Sequence, residues 1–417
     1  MDSVLELIRT DIKTEFVMTH LFGQPDDHLT TPFNHLISRL TKIRKDILEN
    51  KSCPGIESCL DNILKETWDL LHVRPIKRDL ILRHVFAFAS VCKVYLKLKT
   101  VDCDPRHQLC EMLRVIDVAL IMSPDFNNHL MSRVGQALHD LIPFECNPKD
   151  MSPTTTTPLP SVKNKIPASS SMDVLSFREK HLVSGHPVVF PNFSKDWPAV
   201  DTNSDRKWTL SRLRQLVGHR TVPVELGSKY TDPDWTQTMM TLGNFIDEFI
   251  HKTNKKAYVA QVNLFDQMPI LRKDFSIPDL TALSAQDLDD DVSCDINAWF
   301  GPEGTVSPLH FDDKDNIFIQ VMGVKYVRLY SRDIPSELIN TKTDNLLKNT
   351  SEIDIDLLDE KQISLSSTKF PKFFTSDTNL FMSETVLTEG DALFIPKGTW
   401  HFVKSLSTSF SISFWWS

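Results

Sequence analysis

The feature that most limits how this chain can fold is Ser307-Pro308-Leu309-His310-Phe311-Asp312, answered far downstream by Gly398-Thr399-Trp400-His401. Side chains alternate across a strand, so residues i and i+2 point the same way and His310 and Asp312 can share one metal ion. His401 then has to arrive on another strand. A His-x-Asp…His set holds one face of an iron ion and leaves the other face open for cosubstrate and oxygen. The pattern therefore predicts His310, Asp312 and His401 as metal ligands and as the catalytic centre. A His-x-Asp pair alone is most often solvated or held in a turn, so its weight comes from its neighbours.

Asn297-Ala298-Trp299-Phe300-Gly301-Pro302 precedes the pair. Asn316-Ile317-Phe318-Ile319-Gln320-Val321-Met322-Gly323 and Lys325-Tyr326-Val327-Arg328-Leu329-Tyr330 follow it, and Glu389-Gly390-Asp391-Ala392-Leu393-Phe394-Ile395-Pro396 leads towards His401. Together they resemble the jumonji-C (JmjC) barrel of the iron(II)- and 2-oxoglutarate-dependent oxygenases. Val222-Pro223-Val224-Glu225, Gly227-Ser228-Lys229-Tyr230-Thr231-Asp232 and the terminal Ser413-Phe414-Trp415-Trp416-Ser417 are similar to the JmjC domain-containing protein 5 type. That type is known both as an arginyl hydroxylase and as a proposed histone lysine demethylase. The resemblance covers residues 173 to 417 and weakens towards the N-terminus, where only helical character matches.

The resemblance implies Fe(II), 2-oxoglutarate as cosubstrate, and O2. It sets Lys325 against the far carboxylate of 2-oxoglutarate, with Tyr258, Ser307 and Asn316 as further cosubstrate-binding positions. A lone lysine is usually a solvated charge, but Lys325 is flanked by apolar strand residues, which favours burial and hence a paired role. Trp235, Trp299 and Trp415 are implied to surround the target side chain, and Glu225 to pair with it. A guanidinium is planar, always charged and weakly hydrated, and it stacks on aromatic faces. A carboxylate with aromatic walls therefore suits Arg best, although it also accommodates a methylated Lys. The expected partner is a protein or peptide substrate bearing Arg or methyl-Lys.

Core packing is the alternative role for these tryptophans and the expected one for Trp416. Phe410, Ile412 and Phe414 alternate onto one strand face, which puts Trp415 on the other. The chain departs from the family pattern in Phe311 and in the extra acids Asp313 and Asp315, which are expected to change the charge of the outer rim. Three rival functions remain. Lysine demethylation lacks the PHD or Tudor-like module that often accompanies it, and histone-tail proteolysis lacks a visible nucleophile, base or water-activating glutamate. A non-enzymatic scaffold is disfavoured by the presence of all three ligands and Lys325. The resemblance also implies a nuclear location, with the cytoplasm alongside.

A net charge of −9 argues against a generally basic nucleic-acid-binding surface. Met1 to Phe22 is charged throughout, which excludes an apolar signal core, and no long uncharged run spans a membrane. Of seven cysteines, six precede residue 147, and none forms a Cys-x-x-Cys pair. Free thiols in a reducing compartment are expected.

The fold class expected is α+β: an all-α helical domain over residues 1–146, then a linker, then a double-stranded β-helix (jelly roll). Leu5, Ile8, Ile12 and Phe16 recur at helical spacing, as do Phe33, Leu36, Leu40, Ile43 and Ile47. Segments through Leu60–Leu71, Leu80–Leu96, Cys110–Met122 and Leu130–Ile142 complete about six helices, with Leu80–Leu96 apolar almost all round and hence central. This part is expected to bind a protein partner or to stabilise the rest. Residues 147–172, rich in Pro, Ser and Thr, read as a mobile linker with few contacts between domains. On that basis residues 173–417 alone are expected to keep 2-oxoglutarate turnover. Asp287–Asp295 reads as a solvated acidic loop, and Ser331–Leu380 as a surface lobe near the barrel mouth.

Overall fold

The computed structural model describes residues 1–13, 33–51, 55–73, 80–101, 105–145, 147, 159–171, 173–227, 229–231, 234–252, 256–284, 293–339, 347–356 and 360–417. Phe16, Ser228, Asp232, most of the acidic loop and much of the linker fall outside that set.

The N-terminal part is helical, as the spacing predicts. Among the described residues its helices are α1 (Asp2–Lys13), α2 (Asn34–Leu48), α3 (Ile56–Val73), α4 (Leu80–Leu98), α5 (Pro105–Met122) and α6 (Leu130–Leu141). In α4 every residue from Val85 to Cys92 is buried, so it is the centre of the bundle. Its one hydroxyl in that stretch, Ser90, donates to the Phe86 carbonyl at 2.8 Å and leaves no polar group unmet. Pro105 opens α5, where its missing N–H costs nothing. Asp125 caps α6 by accepting from the Met131 and Ser132 amides, each at 2.9 Å.

The C-terminal part is a two-sheet antiparallel jelly roll. The strands are β1 (Val188–Phe190), β2 (Thr221–Leu226), β3 (Thr236–Thr241), β4 (Ala257–Val262), β5 (Asp295–Gly301), β6 (Val306–His310), β7 (Asp315–Met322), β8 (Lys325–Tyr330), β9 (Met382–Leu387), β10 (Ala392–Ile395), β11 (Trp400–Ser405) and β12 (Ser409–Trp416). The major sheet runs β1-β10-β7-β12-β5-β4-β2-β3 and the minor sheet β6-β11-β8-β9. From β5 to β12 the chain crosses between the two sheets at every step except β8 to β9, as a double-stranded β-helix requires, while β1–β4 extend the major sheet. Strand β12 alternates as expected: Phe410, Ile412, Phe414 and Trp416 enter the main apolar core, while Trp415 stays off that face.

Three expectations need correcting. The second half of the linker is pinned rather than loose. The Ile166 amide donates to the Glu384 carbonyl at 3.2 Å, the Val189 amide donates to the Pro167 carbonyl at 2.9 Å, and Ile166 is buried. The lobe after β8 is more than surface, because Ile353, Ile355, Phe370 and Phe373 share one buried core with Leu309, Tyr326 and Phe402 of the minor sheet. It also pairs with the metal-bearing strand: the Phe311 amide donates to the Asn349 carbonyl at 3.0 Å and the Ser351 amide to the Leu309 carbonyl at 2.8 Å.

The largest difference lies between the helices and the jelly roll. Asp117 of α5 and Arg220 at the start of β2 are both fully buried. The Asp117 carboxylate accepts from Arg220 Nε at 2.8 Å and from the Thr221 amide at 2.6 Å. Arg220 also donates to the Gln267 carbonyl at 3.0 Å, and Gln267 Nε2 donates to the Thr221 carbonyl at 2.8 Å. The two parts are joined by direct docking of α5 on β2, which a reading of the linker composition could not reveal.

Candidate metal and cosubstrate site

His310 ends β6, and His401 lies on the adjacent β11 as its direct cross-strand partner. The pairing brings the two imidazoles together with centroids 4.1 Å apart and their planes tilted by 51°. Asp312 follows β6 on the same face, 4.0 Å from His310 Nε2 and 3.5 Å from His401 Nε2. Potential ligand atoms of the three residues lie within 4.8 Å of one another. Each imidazole is oriented from behind: His310 Nδ1 donates to the Pro308 carbonyl at 2.7 Å and His401 Nδ1 to the Thr399 carbonyl at 3.0 Å. That tautomer leaves both Nε2 lone pairs free, which is what a metal needs. Burial, followed by the neighbouring His310, pushes the His401 pKa down to about 4, so the ring is neutral at physiological pH.

The cavity beside the three ligands is lined by Tyr258, Ser307, Asn316 and Lys325, and by Trp299 and Trp415. All the residues expected to bind cosubstrate are thus brought together. Lys325 is 1 % exposed, and its Nζ donates to the Tyr258 hydroxyl at 2.9 Å. Burial alone lowers its pKa to about 7, with no carboxylate contributing. Two more buried polar atoms on the same cavity wall, Asn316 Oδ1 and Trp415 Nε1, have no hydrogen-bond partner. A desolvated cation with no anion, and an orphaned indole N–H donor, fit a small carboxylate-bearing ligand, while the Asn316 oxygen can only accept. The site residues therefore suit a facial divalent ion together with 2-oxoglutarate.

Trp299 is held by its indole N–H, which donates to Ser413 Oγ at 2.9 Å, and its ring lies 6.0 Å from Tyr258 and 6.4 Å from Trp415. Glu225 and Trp235 do not line this cavity. Glu225 sits one strand farther out, opposite Tyr258 in the β2–β4 register, and accepts from Trp235 Nε1 at 3.2 Å. Desolvation raises the Glu225 pKa, against the hydrogen bonds from Trp235 and Gln237.

The extra acids differ from each other. Asp313 is exposed at the rim, as expected, but Asp315 is buried and accepts the Lys397 amide at 2.9 Å. It braces the turn before His401 instead of charging the rim.

Two contributors went unassigned in the sequence. Ser413 lines the cavity, and the β12 alternation that isolates Trp415 could have found it. Tyr230 hydrogen-bonds Thr350 Oγ1 at 3.1 Å and sets its ring perpendicular to His310, with centroids 6.4 Å apart. Burial, with the Asp312 and Glu225 charges nearby, pushes its phenol up to about 12. Its lobe partner lies 120 residues away in the chain, which no local pattern signals.

Residues 174–417 match a family model described as a cupin-like domain. "Lysine-specific demethylase 8" of Danio rerio is 34% identical over 390 residues, covering 90% of this chain and 91% of that protein. "Jumonji C domain-containing protein 5" of Drosophila melanogaster is 31% identical over 379 residues, covering 85% of each. "Lysine-specific demethylase JMJ30" of Arabidopsis thaliana is 39% identical over 259 residues, covering 61% of this chain and 55% of that protein. The first two alignments extend well into the helical region, beyond the part where the sequence motifs lie. Among the described residues no helix is long and apolar enough to cross a membrane.

Proposed function

The chain belongs to the cupin-like JmjC family, whose members are Fe(II)- and 2-oxoglutarate-dependent oxygenases, and from that premise we propose that it hydroxylates arginyl side chains in proteins. The observation that carries this reading is Glu225. Its carboxylate is desolvated, hydrogen-bonded to an indole, and one strand outward from an aromatic-walled cavity. A permanently charged planar cation is the ligand that best offsets such an acid, since a guanidinium stays protonated and stacks on the rings.

Bound Fe(II) and 2-oxoglutarate supply the oxidising chemistry at the open face of the metal. The chain's own residues then bind, orient and exclude water. His310, Asp312 and His401 hold the ion. Lys325, kept in place by Tyr258, pairs with the far carboxylate of the cosubstrate, and Ser307, Asn316 and Trp415 offer it hydrogen bonds. Phe318, Ile395 and Val403 keep the cavity dry. Glu225 and Trp235 fix the guanidinium, and Trp299 and Trp415 wall its aliphatic stem. Lysine demethylation is the second reading, favoured by the names two of the relatives carry, and the nuclear and cytoplasmic location implied by the resemblance belongs to the same proposal.

The Lys325 assignment predicts how cosubstrate affinity depends on pH. The bound carboxylate raises the ammonium pKa above its free value of about 7. Binding is therefore strongest below that pH, and it weakens as pH rises above it, because the proton must then be taken up. The 2-oxoglutarate KM of the wild type should climb between pH 7 and 9. In Lys325→Ala it should be higher throughout, by about 2–5 kcal/mol, and should lose that slope. An unchanged KM would show that another residue holds the carboxylate.

The substrate assignment is tested by titrating an arginine peptide and a methyl-lysine peptide. Glu225→Gln keeps the shape and removes the charge, so it should weaken the arginine peptide by about 1.5–3 kcal/mol. Wild-type affinity should also fall as pH drops through the raised carboxylate pKa, and the Gln variant should lose this dependence. If neither peptide weakens, the acid is structural. If only the methyl-lysine peptide weakens, demethylation replaces hydroxylation.

A further inference from the structure

The helices and the jelly roll enclose a cleft of about 630 Å3. Its floor is the jelly roll, with Glu225 and Gln237 on β2 and β3 and the end of β4 beside them; its far wall is the α5–α6 turn, including Pro124, Asp125 and His129. We propose that this cleft is where the substrate polypeptide runs, so that the helical region reads the chain flanking the target side chain and favours basic residues there. The inference rests on the reading that the target side chain is held by Glu225.

Continuity is the first support. Glu225 lines the cleft and is the cross-strand partner of Tyr258, which lines the metal cavity. A side chain reaching inward past Glu225 leaves its backbone in the cleft. Charge is the second. Asp125, Glu225 and Asp266 put three carboxylates around the cleft against the one guanidinium of Arg83, which itself donates to the Met122 carbonyl. The third is the shape of the floor. The β4–β5 register slips between Val259 and Val262, and Gln261 there has φ 52°, a left-handed conformation uncommon for a side chain of that size. The bulge turns exposed Gln261 out of the ladder and into the cleft, where it can meet a passing peptide. Finally, the wall is fixed: the buried Asp117–Arg220 pair ties α5 to the strand that carries Glu225. The wall cannot swing away without breaking that pair.

The experiment compares binding, by fluorescence anisotropy, of two peptides with the same central arginine on the full chain loaded with cobalt(II) and N-oxalylglycine. One has about five residues; the other has about fifteen, with lysines and arginines in its flanks, long enough to run out of the site at roughly 3.3 Å per residue. The long peptide should bind at least about tenfold more tightly, and the advantage should shrink with salt. Pro124→Arg adds a cation and bulk to the exposed far wall and should remove most of that advantage while leaving the short peptide unchanged. Asp125→Asn, which keeps an acceptor for the helix cap, should reduce it in the same direction. Equal binding of long and short peptides whichever residue is at the centre, or a Pro124→Arg effect of the same size on both lengths, would overturn the proposal. Repeating the pair with methyl-lysine at the centre separates the two readings. A flank-dependent advantage confined to the methyl-lysine peptides would leave the cleft in place and overturn the arginine assignment.

Discussion

His310→Ala and Asp312→Ala each abolish turnover while the jelly roll stays folded. Losing an outer partner of a metal ligand already costs on the order of 10–100-fold in affinity or activity, and losing a ligand costs more. The fold survives because neither side chain packs the core. His310 is half-buried at the end of β6, whose neighbour Leu309 carries the apolar contact. The Asp312 link to the rest of the barrel is its backbone carbonyl, which accepts the Gly398 amide at 2.9 Å and is untouched by the substitution. His401 is less clean as a probe because it is buried, so its loss mixes ligation with packing. The check is metal content and 2-oxoglutarate turnover beside a melting curve. Wild-type turnover in either variant would remove the metal site from this location.

Asp117→Ala destabilises the whole chain by about 3–5 kcal/mol, the cost of stranding a buried charge. Arg220 is fully buried, and its Nε and the Thr221 amide would both lose their acceptor. Asp117→Asn, which keeps an oxygen for one of these donors, should cost less. The same reasoning adds a stability cost to residues 173–417 alone: that fragment exposes Arg220 and the β2 face that α5 covers, so it should melt well below the full chain, whatever turnover it keeps. Denaturant unfolding of the Ala variant, the Asn variant and the fragment checks the order. Equal stability of all three with the wild type would mean that the docking seen between α5 and β2 contributes nothing.

What the sequence made legible was local or periodic. Alternation along a strand put His310 and Asp312 on one face and separated Trp415 from Phe414, and the 3.6-residue spacing located the described helices of the N-terminal part. Lys325 stood out because a charge amid Val, Leu and Tyr on a strand has to be buried. What stayed hidden depends on partners distant in the chain. Asp117 lies on a helix where an acid is ordinarily solvated, and nothing nearby signals Arg220. Asp315 looked like rim charge because the Lys397 amide that it accepts comes from the turn before β11. The linker read as mobile from composition alone, since composition does not show that Ile166 finds the edge of β9. Glu225 and Trp235 were each assigned to the target side chain by resemblance, yet the placement of Glu225 one strand outside the cavity follows from the β2–β4 register.

The most direct test of the account is mass spectrometry of an arginine peptide and a methyl-lysine peptide, each incubated with the full chain, Fe(II), 2-oxoglutarate and oxygen-18 gas. The account predicts one labelled oxygen on a side-chain carbon of the arginine, dependent on His310 and Asp312, with the methyl-lysine peptide unchanged. Loss of a methyl group from the lysine peptide, with no oxygen gained by the arginine peptide, would contradict it.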